Sequence, residues 1–304
     1  MRPPEPVAPP ATRDGVGPSC TVLPDGAWPT IADFLIERFA RVAASEWRAR
    51  LQRGDVIDAL GQPVRDDSPY APHLKIYYYR DPPPEPVIPF EEEVLFQDDL
   101  IVVADKPHFL PVIPSGRYLQ QTLLVRLKRK LGIDTLAPVH RIDRDTAGLV
   151  LFTVRPVARG AYQGLFRDRV AVKRYEAIAP LNPLLSLPMT HRSRLVEGDS
   201  FMTMREAAGE PNAETVIELI ESCGGLGRYG LQPLSGRRHQ LRAHMAALGM
   251  PILNDGIYPQ LLPELAVPNY GLPLQLVARS LAFTDPVSGE ARAFESRYRV
   301  SFPA

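Results

Sequence analysis

Cysteine is nearly missing from this 304-residue chain, which holds only Cys20 and Cys223. They lie far apart and without metal-ligand spacing, which argues against a disulfide framework and a zinc ribbon and points to a reducing, cytoplasmic setting. Net charge is missing too: 35 Lys and Arg face 35 Asp and Glu, so a nucleic-acid or membrane partner has to be read from local clustering. No apolar stretch approaches bilayer length, and the first 20 residues lack the apolar core of a signal peptide. No membrane partner is expected, and there is no repeat period.

Proline, by contrast, is abundant at 33 residues, dense before Pro29 and again in DPPPEPVIPF. Such runs cannot sustain helix interiors or central strands. They divide the chain into a disordered leader (1–29), a small module (30–80), a Pro-rich extended linker (81–93) and a main domain (94–304). The small module opens with Thr30 as a helix cap and Asp33 in a capping-box position. A second short helix from Ser45 stops at Gly54, and a hairpin follows, which suits either an accessory domain or a helical cap on the main domain. From Val94 short strands alternate irregularly with helices, which favours an α+β fold over a doubly wound sheet.

Several tempting motifs fail on context. GLGRYG (225–230) matches a dinucleotide pattern but is followed by a strand, so a hairpin turn is expected there. HRID looks like a kinase catalytic loop, yet its Asp is one place late and the Asn partner is absent. His239 and His244 are five apart and point to different sides of a helix, so no metal site is expected. Ser115-Gly116 and Ser235-Gly236 lack a nucleophile-elbow context.

Three segments make chemical sense together. VHRIDRDTAGLVLF (139–152) sets Asp143 among Arg141, Arg144 and Asp145, just ahead of a strand; as an isolated motif it would pass for a solvated loop of ion pairs. VAVKRYEAIA alternates so that Ala171, Lys173, Tyr175 and Ala177 share a face. LSGRRHQLRAHMAALGMPI supplies a helix with Leu241, Met245 and Leu248 as its buried stripe and with Arg238 and Arg242, four apart, along one edge. An arginine at the margin of a core needs a carboxylate, and Asp143 is the expected partner of Arg242.

With KRYEA and LSGRRHQLRAHMAALGMPILNDGIY in that order, these motifs resemble the three signature segments of the RluA-type pseudouridine synthases, over a span from about Val94 to the C-terminus. The resemblance implies a catalytic α+β domain on a long, bent, mainly antiparallel sheet. It also implies that residues 30–80 are a divergent form of a small α/β RNA-binding domain. Carried over residue by residue, Asp143 is the nucleophile, Tyr175 stacks on the target base and is a candidate general base, and Arg242 is the ion-pair partner of the aspartate. Arg141 matches an arginine linked to nucleotide flipping, and Leu276 lies under the base; Arg144 and Arg238 join the substrate-binding set. The sequence departs from the family where a glycine usually follows DKP (here DKPHFLPVIPSG), and it has Asn254-Asp255 in place of Gly-Asp.

Pseudouridine formation breaks the ribose bond to ring nitrogen one and joins ribose to ring carbon five, without redox change. It needs a nucleophile, a proton acceptor and a tight pocket, so neither cofactor nor metal is expected. Burial would raise an Asp from its ordinary pKa of roughly 3.9, and a nearby arginine would favour the anion. Whether Asp143 attacks sugar or ring is left open. Between Arg126 and Arg174 basic residues outnumber acidic ones about three to one, a local basic surface for ribosomal or transfer RNA inside a neutral whole. The chain is expected to act as a monomer. The competing reading is a non-catalytic RNA-binding or ribosome-assembly factor that keeps the fold; such a protein would be free to lose Asp143, Tyr175 or Arg242, and all three are present.

Overall fold

A computed structural model describes residues 12–40, 42–80, 85–263, 265 and 267–303. Contacts divide the chain into two compact units, Met1–Glu85 and Pro86–Ala304. In the first, strands β1 (Ser19–Val22), β2 (Val56–Asp58) and β3 (Lys75–Tyr78) form a sheet in the order β1-β3-β2, with helices α1 (Ile31–Arg38) and α2 (Ala44–Arg53). Thr30 Oγ1 accepts from Asp33 N at 3.1 Å and Asp33 returns the bond to Thr30 N at 3.2 Å, the reciprocal cap expected from sequence. Phe34, Leu35, Trp47, Val56 and Ile76 make this unit's own core. Strand β1 corrects the expectation of a disordered 1–29 leader: SCTV pairs in full with 75–78. The proline count that suggested disorder belongs to the first ten residues, which lie outside the described ones.

The segment expected to be a linker also has structure. Residues 81–84 lie outside the described residues, but Ile88 is buried in the core of the second unit. Arg126 donates to the carbonyls of Phe90 (2.6 Å) and Ile88 (2.9 Å). Ile88 and Phe90 carry the apolar surface that proline content alone conceals, and burying it is favourable.

The larger unit runs β4 (Glu93–Gln97), β5 (Ile101–Lys106), α3 (Leu123–Leu131), β6 (Ala137–Pro138), β7 (Ala147–Thr153), α4 (Arg159–Arg167), β8 (Val172–Pro180), β9 (Met189–Glu197), β10 (Met204–Ala207), β11 (Ala213–Cys223), β12 (Leu226–Pro233), α5 (Gln240–Ala247), β13 (Leu276–Thr284) and β14 (Ala291–Glu295). Its strands form one 11-stranded sheet with the path β10-β9-β11-β12-β8-β13-β7-β5-β4. This is the mainly antiparallel α+β architecture expected. GLGRYG is a hairpin, with Gly224 and Gly225 at positive φ between β11 and β12.

One joint in the sheet is parallel: Ala147 and Gly148 of β7 pair with Val277 and Ala278 of β13. Gly148 has φ +113°, and a Cβ there would lie 2.3 Å from the Ala278 carbonyl oxygen, so only glycine allows the approach. The joint lies directly after the loop that carries Asp143. Strands β7 and β5 are buried on both faces, with α3 packed in one core and α4 in another.

Candidate active site

Helix α5 brings the arginine. Arg242 is 2% exposed and points its guanidinium at two carboxylates. Nη1 donates to Asp143 Oδ2 at 3.1 Å, while Nε and Nη2 reach Asp255 Oδ2 and Oδ1 at 2.8 and 2.6 Å. The pair expected across 99 positions of sequence is therefore present, but Arg242 lies inside the core and not at its margin. Burial alone would lower its pKa; the hydrogen bonds of Asp255 and the charge of Asp143 raise it instead, so it stays a cation.

Asp255 is the partner that sequence reasoning missed. Its side chain is fully buried, and Oδ1 also accepts from the backbone N–H groups of Ile257 and Tyr258. A guanidinium has more donors than one monodentate aspartate can satisfy, which calls for a second acceptor, but nothing in the local sequence pattern says which residue supplies it. Asn254, which replaces the usual glycine, has φ +63°. After glycine, asparagine is among the residues that best tolerate that conformation, so the substitution preserves the turn that aims Asp255.

Only one oxygen of Asp143 is held. Its side chain is 25% exposed, Oδ2 is held by Arg242, and Oδ1 faces His239 Nε2 at 3.9 Å, beyond hydrogen-bond range. His239 sits in the left-handed region (φ +52°) as the residue before α5, and its Nδ1 lies 3.3 Å from Tyr258 Oη, which accepts from Met204 N. Burial holds the imidazole below its ordinary pKa despite the Asp143 charge, so it is neutral at pH 7. Sequence reasoning weighed His239 only as a metal ligand and missed its place beside Asp143.

Tyr175 comes from β8 and shares a face with Leu276 of β13: Ala177 pairs with Leu276 and Tyr175 with Ala278, and both side chains belong to one apolar cluster. Burial, and then the Asp143 charge, push its hydroxyl well above the usual phenol range. The hydroxyl stays protonated at neutral pH, so the side chain is suited to stacking and not to accepting a proton. Arg141 is exposed beside the loop and makes no ion pair among the described residues. Arg144 turns instead to Asp145, Nε to Oδ1 at 2.9 Å, and although burial raises the Asp145 pKa, Arg144 pulls it below the ordinary value.

Arg238 is a correction. Helix α5 begins only at Gln240, because left-handed His239 interrupts the phase assumed from the four-residue spacing. Arg238 Nη2 therefore donates to the carbonyls of Phe201 and Thr203, at 2.6 and 3.1 Å, and does not line up with Arg242. The basic stretch is also partly spent on the fold. Besides Arg126, Lys130 Nζ donates to the Glu92 carbonyl at 3.2 Å, and Arg159 donates to the Thr135 carbonyl at 2.7 Å.

Among the described residues, the group with ligand types for a metal is His191, Glu206 and His244, with ligand atoms within 4.8 Å of one another. His191 Nε2 is bonded to Glu206 at 2.7 Å, and both nitrogens of His244 are engaged by hydroxyls, Ser193 at 3.1 Å and Thr215 at 3.0 Å. An ion would have to displace these bonds, so the trio is described by its hydrogen bonds alone. No helix among the described residues is long and apolar enough to cross a membrane.

The long, mainly antiparallel sheet, with Arg242 buried between Asp143 and Asp255 near its middle, has the fold of the pseudouridine synthases. A human protein, RNA pseudouridylate synthase domain containing 4, has a similar solved structure, with a TM-score of 0.53, 27% identity, and coverage of 67% of this chain and 87% of that one. The family model described as RNA pseudouridylate synthase matches residues 100–247. A dual-specificity RNA pseudouridine synthase, RluA, of Haemophilus influenzae is 31% identical over 232 residues, covering 71% of this chain and 96% of that protein. A mitochondrial tRNA pseudouridine(32) synthase of Saccharomyces cerevisiae is 33% identical over 184 residues, 59% of this chain and 39% of that longer protein. The chain belongs to the RluA-type family of RNA pseudouridine synthases, and it isomerises uridine to pseudouridine in RNA.

Proposed function

We propose that Asp143 is the nucleophile, that Arg242 is its ion-pair partner and fixes its orientation, and that Tyr175 and Leu276 sandwich the uracil. The observation that carries this reading is the asymmetric environment of one carboxylate. Oδ2 is fixed by a buried cation, while Oδ1 makes no hydrogen bond among the described residues and the side chain is a quarter exposed, so the anion is held without being consumed by its counter-ion. In the reaction Asp143 forms a transient bond to the sugar or the ring, the bond from ribose to ring nitrogen one breaks, the base turns, and ribose bonds ring carbon five. The bond to Asp143 is then released, and ring nitrogen one takes up a proton as carbon five gives one up, so the isomerisation balances. The proton released from that carbon passes to a group that can accept it at neutral pH. Neutral His239 meets that condition; the phenol of Tyr175 does not.

The substrate in this proposal is ribosomal or transfer RNA; the name of one relative specifies transfer RNA and that of another RNA in general. The target uridine leaves its stack to reach Asp143, and Arg141, exposed at the mouth, contacts the backbone around it. The small unit 30–80 serves as an RNA-binding accessory. The protein acts as a monomer, without metal or cofactor, in the cytoplasm; its two exposed, unpaired cysteines fit a reducing compartment. Mapping pseudouridine across the transcriptome in cells with and without the gene tests the reading. Loss of one or a few sites in ribosomal or transfer RNA is expected, and an unchanged map would overturn it.

A further inference from the structure

The loop that presents Asp143 has no regular secondary structure from Arg141 to Asp143, yet three of its successive peptide carbonyls are all occupied. The Asp143 carbonyl accepts from Thr146 N at 3.2 Å and closes the turn. The Arg144 carbonyl accepts from Lys106 Nζ at 2.9 Å, and the Asp145 carbonyl is bonded by His108 Nδ1 at 2.7 Å. Two of the three donors come from DKPH, where this chain puts histidine in a place for which the family resemblance leads one to expect glycine. A carbonyl can only accept, so Nδ1 of His108 carries the proton.

DKPH is itself braced. Lys106 is fully buried, with a second bond to the Pro107 carbonyl at 3.0 Å. Asp105 accepts from Ser296 Oγ at 2.7 Å and Arg297 N at 2.6 Å, so the C-terminal segment fixes the strand end from which Lys106 and His108 project. Tyr298 stands edge-on to the His108 ring, with centroids 6.1 Å apart. Phe109, at φ +66°, lies against Phe90 and Tyr270. The donors are thus held as firmly as the loop they hold.

We propose that His108, together with Lys106, is a positioning residue: the two hold the Asp145 and Arg144 carbonyls and so fix the direction in which Asp143 presents its free oxygen to the target nucleotide. This rests on Asp143 being the nucleophile. A carboxylate misdirected by a fraction of an ångström loses rate without losing substrate affinity, because the RNA is bound by other groups.

The test compares His108→Ala, which removes the donor, with His108→Asn, whose amide nitrogen occupies nearly the place of Nδ1. Two measurements are made on the full chain. Hydrogen exchange of the peptide spanning residues 139–148 needs no RNA, and single-turnover pseudouridine formation uses a pool of unmodified, transcribed transfer and ribosomal RNAs. Faster exchange and an about tenfold slower single turnover are expected for His108→Ala, with the RNA dissociation constant within twofold of the parent. His108→Asn should restore both; if His108→Ala fails to fold, the Asn variant together with His108→Gln, whose amide is misplaced, makes the same comparison. Unchanged exchange in His108→Ala, parent-like turnover despite loosened exchange, or an Asn variant as impaired as the Ala variant would each overturn the proposal. If the parent itself modifies neither class of RNA, the substrate reading fails, and exchange still decides whether the loop is held by His108.

Discussion

Replacing Arg242 by methionine conserves much of the side-chain volume and removes three charge-assisted hydrogen bonds at once. The larger loss falls on Asp255. Its side chain is fully buried and would be left with only the N–H groups of Ile257 and Tyr258. Breaking a buried pair from one side costs about 3–5 kcal/mol, and the two remaining donors place this case near the lower end, about 3 kcal/mol. Asp143, a quarter exposed, can recruit water and adds little. With a urea dependence on the order of 2 kcal/mol per molar, the midpoint should fall by roughly 1–2 M. Both tryptophans, Trp28 and Trp47, belong to the N-terminal unit, so the transition of the large sheet must be followed by far-UV circular dichroism and not by tryptophan fluorescence. Pseudouridine formation should be undetectable in the same preparation. A variant with the parent's midpoint and a measurable rate would show that neither carboxylate depends on this guanidinium.

Two further outcomes follow from the same environment. Burial pushes Lys106 from its ordinary 10.5 down to about 7, against the opposing pull of Asp145 and Asp143. The folded state therefore binds fewer protons than the unfolded chain between about pH 7 and 10.5, and stability from this group rises with pH across that window. The urea midpoint of the parent should rise relative to that of Lys106→Met between pH 7 and pH 9.5, whereas a constant offset would mean that Lys106 keeps its charge in the fold. Arg141→Ala should weaken RNA binding across sequences and reduce the slope of log affinity against log salt by about 1; an unchanged slope would remove Arg141 from the phosphate contacts.

What could be read from sequence was what buried charge and strand alternation dictate. Arg242 needed an anion and Asp143 was available, although 99 residues separate them; alternation in VAVKRYEAIA set Tyr175 on the face that meets Leu276. What could not be read depends on backbone conformation in loops. Left-handed His239 delays α5, so the four-residue spacing of Arg238 and Arg242 loses its meaning. Asn254, also left-handed, turns Asp255 inward, and no local periodicity reports that. The basic run from Arg126 looked like a surface for phosphates, but Arg126 and Lys130 hold the apolar segment around Ile88 and Phe90, a long-range use of charge that composition cannot separate from RNA binding.

In the proposed mechanism one oxygen of Asp143 attacks while the other is held by Arg242. Asparagine at 143 keeps the shape and can still accept from Arg242 Nη1, but its amide is not a nucleophile. Single-turnover pseudouridine formation by Asp143→Asn, alongside its RNA affinity, is therefore the direct measurement. The expected result is no product above background with affinity within about twofold of the parent; product formed at a rate near the parent's would contradict the account.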